Sequence, residues 1–235
     1  MSAAADALTA PVITFDGPSG TGKGTIAAGL AARLGWHVLD TGALYRCVGL
    51  AAVQRGVDLA DEEALGALAQ RLNIRFDGER VLLDAVDVSD EIRTAAAGEH
   101  ASRVAAAPAV RSALWRLQRD AVPPPGPIAA GRDMGPVVFP EAPIKFFLEA
   151  TPPVRVAGRY NQLKDKGMDA NVANLARELA ERDRRDRERA ASPLVPAADA
   201  VIIDTSNLGI EAVLAQVLDV VDNRLPQAGQ AAPPS

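Results

Sequence analysis

Cysteine and histidine are almost missing from this chain of 235 residues: it has one cysteine, Cys47, and two histidines. One cysteine excludes an intrachain disulfide, and so few soft ligands leave no basis for a structural zinc site. Cys47 falls in an apolar helical pattern, where a free thiol is expected to pack as a small hydrophobe rather than do redox chemistry. No apolar run approaches the roughly 20 residues needed to span a bilayer. The first ten residues, MSAAADALTA, lack a basic segment followed by an apolar one, so no secretory leader is expected and the chain reads as cytoplasmic. A net charge of −5 gives no electrostatic reason for binding nucleic acid or a membrane. Any positive site must be local.

The length suits one α/β domain with insertions, over about 11–224. Hydrophobic residues (48%) and charged residues (23%) are in ordinary proportion for a folded domain. Residues 1–10 and 226–235, rich in Ala, Pro, Ser, Gly and Gln, read as flexible tails.

Short apolar strands are expected at 12–15, 36–39, 128–131, 144–148 and 201–203, with helices at 23–34, 42–54, 108 to about 122 and 209–224. Pro108 suits a first helical turn, and the proline-rich run 123–127 ends that helix. Alternation of this kind implies a five-stranded parallel sheet with helices on both faces, a three-layer sandwich, and ligands at the carboxyl ends of its strands. Two segments interrupt it. About 61–107 reads as a small α+β insertion: a helix at 62–71, strands at 73–77 and 80–86 joined by Asp77-Gly78-Glu79, and a helix near 95–106. The charged stretch 152–190 reads as a helical insertion.

The run Gly17-Pro18-Ser19-Gly20-Thr21-Gly22-Lys23-Gly24-Thr25 lies between a strand and a helix, the context a phosphate-binding P-loop requires. Glycines let the backbone turn its N–H groups onto a phosphate, and the helix N-terminus adds about half a positive charge. Lys23 is placed to reach the outer phosphates. The hydroxyl stands at Thr25, one position later than in GTPases and most motor ATPases, and no Asn-Lys-x-Asp motif for reading a guanine base occurs. ATP is therefore the expected phosphate donor, with Mg²⁺ steered through water by Asp16 and Thr25 rather than bound directly.

Asp40-Thr41-Gly42-Ala43-Leu44-Tyr45-Arg46 follows the second strand. Thr41 suits an N-cap, Tyr45 and Arg46 fall on the first helical turns, and a guanidinium there can grip a monophosphate with two bonds. Arg182, Arg185 and Arg189, at i, i+3 and i+7, share one face of a helix. A lid closing arginines over a transferring phosphoryl group is one reading; a solvated helix laced with acid-first pairs (Glu178–Arg182, Glu181–Arg185, Asp183–Arg187) is the other. Arg155 and Arg159 are further candidates from the same insertion.

GPSGTGKGT resembles the adenylate and cytidylate kinase branch of P-loop enzymes. DTGALYR, SDEIRT (89–94), GRDMG (131–135), VVFPEAP (137–143) and RDRRDRERAASPLVPAADA (182–200) are similar, in order, to bacterial cytidylate kinases, over most of the chain from about 11 to 224. That resemblance implies MgATP-dependent phosphorylation of CMP and dCMP within pyrimidine nucleotide metabolism, by a chain expected to be a monomer. It implies that the 61–107 insertion receives the acceptor nucleotide. It also implies that Ser102, Arg111, Arg132 and Asp133 contact the acceptor, Asp133 serving catalysis too, alongside Arg182 and Arg189. An Asp or Ser can accept from the cytosine amino group, and an Arg can donate to its ring acceptors. Two positions depart from the family: Ala130 where an acid usually precedes GRD, and Gly158 where a second consecutive arginine is common. A kinase for UMP, AMP or a broad set is one alternative. A regulatory ATP-binding module with decayed catalysis is another.

Overall fold

Strands that are apolar on both faces need cover on both sides, and the order of elements supplies it. The computed structural model describes residues 10–225 except 79, 123, 166, 168 and 170, the side chains of 162 and 165 aside. The expected tails, Glu79 of the expected turn and Pro123 of the proline run lie outside the described residues; Ala10 lies inside them and is buried. The chain runs β1 (Ile13–Asp16), α1 (Lys23–Leu34), β2 (His37–Asp40), α2 (Thr41–Gln54) and α3 (Glu62–Arg71). β3 (Ile74–Asp77), β4 (Arg80–Leu83), β5 (Val86–Asp87), a 3₁₀ turn at Glu91–Arg93 and α4 (Ala95–Val104) follow. Then come α5 (Pro108–Asp120), β6 (Pro127–Ala130), a π turn at Met134–Val138, and β7 (Ile144–Glu149). α6 (Pro152–Asp165), α7 (Val172–Glu188), β8 (Val201–Asp204) and α8 (Ile210–Arg224) complete it.

The main sheet is parallel, in the order β2-β6-β1-β7-β8. Alternation along β1 divides its side chains between two cores. Ile13 and Phe15 pack with Ile26, Leu30, Leu214 and Val217 of α1 and α8, and Phe15 stacks on Phe146 at 4.8 Å. Val12 faces the other way, into a core with Leu39, Ala129, Met134 and Phe139. β1 is central, and the chain leaves it to build outward on both sides. Its carboxyl end is thus the switch point at which open α/β sheets form a binding crevice.

The 61–107 segment packs on α2 and α5 through its own core, in which Leu44, Cys47 and Val48 meet Leu65, Val81, Ile92, Val104 and Leu114. Cys47 is fully buried there, and burial pushes its thiol up to about 12, which fits the packing role. The strand expected at 80–86 is broken instead. Asp84 and Ala85 take positive φ (50° and 70°), and Asp84 accepts from the Asn73 amide and from Arg55. This turn pairs β4 with a third strand, β5. The 152–190 stretch is two helices around a small core of Val156, Leu163, Leu175 and Leu179, with Asn171 capping α7. Among the described residues no helix is long and apolar enough to cross a membrane.

α3 and α5 approach so closely that a Cβ on Gly66 would lie 2.5 Å from the Cβ of Ala109. Gly66→Ala should therefore destabilise the fold by about 1–3 kcal/mol, the usual cost of overpacking. Thermal unfolding should show a lower Tm, by about 2–4 °C for each kcal/mol in a chain of this size. An unchanged Tm would mean the two helices separate freely.

Candidate active site

The loop after β1 is shaped by one steric fact. Gly17 has φ +137°, and a Cβ there would stand 2.1 Å from the carbonyl oxygen of Leu148 on β7, so only glycine turns the chain here. Gly22 caps α1 in the left-handed conformation and brings no side-chain hydrogen bond, leaving the first-turn amides of α1 to a ligand. Lys23 is buried, and its Nζ donates to the carbonyl of Pro18 at 2.6 Å and to Thr21 Oγ1 at 3.4 Å. Burial first, then the nearby Arg132 and Arg182, lower its pKa well below the usual lysine value. The ammonium folds back on its own loop, a cation short of an anion. Ser19, Gly20, Gly22, Gly24 and Thr25 all face the cleft.

That cleft encloses about 1070 Å³ and is lined by eight cationic side chains: Lys23, Arg46, Arg93, Arg111, Arg132, Arg159, Arg182 and Arg189. Three carboxylates oppose them, Asp40, Asp133 and Asp186. A chain that is acidic overall thus sets eight of its 25 lysines and arginines around one cleft.

On the wall opposite the loop, Tyr45, Arg111, Asp133 and Arg189 form one group. Arg111 donates to Asp133 and lies over the Tyr45 ring at 5.6 Å, and Arg189 stands 3.8 Å from the same carboxylate. Ser102, which could have been a solvated helix residue, is buried and donates to Asp186 at 3.1 Å. Asp186 also accepts from Arg132 Nε at 3.0 Å and lies 4.0 Å from Arg182. Arg46 spans both roles: it lines the cleft and donates to the carbonyls of Ile92 (2.6 Å) and Thr94 (3.3 Å), fixing the insertion's approach.

Several expectations need correction. Thr41 is the first helical residue rather than the N-cap, which is Asp40. The Thr41 hydroxyl donates to the carbonyl of Ala130 at 3.0 Å, joining α2 to the end of β6. α7 ends at Glu188, so extended backbone, not the helix face, carries Arg189 into the cleft. Arg185 does not line the cleft; it turns to Glu99 (3.6 Å) and to Glu181 (3.5 Å), the second being the acid-first pair that its spacing offered. Asp183 is buried against Arg155 instead of reaching Arg187 on the surface, and Arg182 meets Asp186. Arg155 is spent on that pair and on backbone carbonyls, whereas Arg159 does line the cleft. Asp16 accepts from the amides of Met134 (2.8 Å) and Gly135 (2.7 Å), and burial nonetheless raises its pKa to about 7. It lies behind the loop, held by the π turn.

Sequence reasoning missed Asp186, Arg93, Asn161 and Ile210, all in the cleft lining. Asp186 had a signal: it lies four residues beyond Arg182, on the same helix face.

The model of one protein family, cytidylate kinase, matches residues 13–223. The chain belongs to the cytidylate kinase family. It is 55% identical to the cytidylate kinase of Methylococcus capsulatus, over 92% of this chain and 98% of that one. Against the cytidylate kinase of Shewanella frigidimarina identity is 53%, over 92% and 96%, and against that of Bordetella bronchiseptica 52%, over 93% and 98%. An uncharacterized protein from Eubacterium ventriosum covers 91% of this chain and 99% of its own at 12% identity and a TM-score of 0.44.

Lys23→Ala should keep the fold and lower kcat by at least about 100-fold, since several kcal/mol of transition-state stabilisation leave with the ammonium. Steady-state kinetics with a parallel unfolding curve measures both. Turnover within about threefold of wild type would remove the loop from the chemistry.

Proposed function

We propose that this member of the cytidylate kinase family transfers the γ-phosphoryl group of ATP to CMP, and to dCMP, giving ADP and the nucleoside diphosphate. The observation that carries the reading is the cleft itself. A phosphate cradle with Lys23 lies on one wall, and a base-sized group of buried hydrogen-bonding side chains lies on the other. Arg46, Arg132 and Arg182 stand between them.

The roles follow from charge. The loop amides and Lys23 take the donor's phosphates, and Arg46 takes the acceptor's phosphate. Arg132, Arg182 and Arg189 balance the charge that spreads over the phosphoryl group in flight. Phosphoryl transfer asks for positioning and electrostatic stabilisation more than for covalent chemistry. Closure of the α6–α7 lid keeps water from competing as acceptor. Ser102, Arg111 and Asp133 suit cytosine, whose amino group needs an acceptor and whose ring oxygen and nitrogen need donors.

Mg²⁺ fits the residues present in one manner only. Among the described residues no group of three or more His, Cys, Asp or Glu could hold a metal. The Thr25 side chain faces the cleft, and the Asp16 carboxylate is engaged by two amides. This donor set suits an ion that arrives on the nucleotide's phosphates, with Thr25 and waters completing its shell. When bound, the ion would neutralise phosphate charge. We place this activity in cytoplasmic pyrimidine nucleotide metabolism, carried out by a monomer.

CMP should exceed UMP in kcat/KM by up to roughly 10⁴, because uracil reverses the donor at C4 and the acceptor at N3 and leaves buried groups unpaired. A coupled assay across CMP, dCMP, UMP and AMP measures this. Equal efficiency with UMP or AMP would assign the chain a different acceptor. Ala130 lies at the cleft end of β6, paired in register with Phe15 and Asp40. Ala130→Asp should lower the Mg²⁺ concentration for half-maximal rate by about tenfold, as added outer-shell carboxylates do, with CMP KM little changed. Superimposable Mg²⁺ titrations would show that position 130 is out of the metal's reach.

A further inference from the structure

Arg155 was a candidate for the reacting phosphates, and its surroundings assign it other work. Its side chain is buried and fully committed. Nε donates to the carbonyl of Ala150 (3.1 Å), one terminal nitrogen to the carbonyl of Ser19 on the phosphate loop (3.1 Å), and the other to Asp183 of α7. Both charged partners are 4% exposed. The backbones are in contact as well: a Cβ on Gly20 would lie 3.0 Å from both the Cβ and the carbonyl oxygen of Arg155. The crest of the phosphate loop therefore rests on the first turn of α6, and one guanidinium ties it to the lid's second helix.

The position of Asp183 on α7 gives the tie its consequence. Successive helical residues point about 100° apart, so the rotation that aims Asp183 at α6 also aims Arg182 and Asp186 into the cleft that the phosphate loop faces. Among the described residues the lid's apolar core is Val156, Leu163, Leu175 and Leu179 with Tyr160 against it, and apolar contacts of that size permit sliding. A guanidinium bonded at once to two backbone carbonyls and a carboxylate permits little. Stability does not explain the pair well. One oxygen of Asp183 is buried with no hydrogen-bond partner, and buried ion pairs of incomplete satisfaction are weak stabilisers.

We propose that Arg155 and Asp183 are positioning residues that hold the phosphate loop and the lid helix in one register, so that the loop amides and Arg182 meet the same phosphates. The inference rests on reading the loop as the donor's phosphate seat. Asp183→Asn and Arg155→Lys test it. The first removes the charge that holds the fork; the second keeps a charge and thus the fold, but a lysine cannot bond three acceptors placed around a plane. Each variant should raise KM for ATP about tenfold and lower kcat, with KM for CMP within about threefold, as expected when binding on one side only is lost. Amide hydrogen exchange over residues 17–22, measured without nucleotide, should quicken about tenfold while that of the α8 core stays unchanged. The control Arg184→Gln, which breaks exposed pairs with Glu181 and Glu188 on the same helix, should change none of these. Loop exchange within twofold of wild type in both variants would overturn the proposal. So would equal shifts in the two KM values, which would mark a general loss of stability. The exchange comparison needs no turnover, so it decides the tie even if the kinase reading fails.

Discussion

Crowded positive charge is the condition under which the rest of this structure makes sense. Lys23, Arg46, Arg111, Arg132, Arg182 and Arg189 converge on one cleft, and the buried carboxylates there are too few to neutralise them. Like charges held together in a low-dielectric site repel, and the pKa of Lys23 is pushed down, by burial first and then by two neighbouring guanidiniums. Such a cluster is stable only because the surrounding fold fixes its members. Asp133 holds Arg111 and Arg189, Asp186 holds Arg132 and Arg182, and the carbonyls of Ile92 and Thr94 hold Arg46. On the proposed function, phosphorylated nucleotides would supply the missing negative charge. Binding of that kind would relieve repulsion across the cleft, most where charge builds up during transfer.

The sheet provides the fixed point for this arrangement. The sharp turn at Gly17 is pressed against the Leu148 carbonyl, so the cradle cannot drift along β7. Thr41 ties α2 to the end of β6, and Asp16 ties the π turn after Asp133 to the end of β1. Three neighbouring strand ends are thus joined across the cleft by side chains far apart in sequence. The 61–107 insertion and the helices of 152–190 have separate apolar cores, and Ser102 and Asp186 join them across the cleft.

Much of the fold was legible in the sequence because the signals were local. The glycine-rich turn with Lys23, the Pro108 helix start and the alternation of short apolar strands with helices each arise within a few residues. What escaped depended on distant partners or on local chemistry without a usual signature. The turn at Asp84-Ala85 takes positive φ with no glycine or asparagine, and it is held by Asn73 and Arg55. Thr41 has the composition of an N-cap, but its hydroxyl is drawn to a carbonyl 89 positions away. Arg155 and Arg159 sit one helical turn apart and look equivalent as letters; packing against Gly20 and Asp183 buries one, and the other lines the cleft. The Arg182–Arg185–Arg189 face dissolved for the same reason: the end of α7 at Glu188 and the pull of Glu99 are not written in the spacing, although the Glu181–Arg185 pair is.

The central claim is that the one cluster of cations holds two nucleotides end to end. It is tested most directly by titrating the protein, in a calorimeter, with a compound that joins adenosine and cytidine through a polyphosphate bridge. The account predicts one molecule bound per chain, displaced by ATP alone and by CMP alone. Two molecules bound per chain, or displacement by only one of the nucleotides, would contradict it.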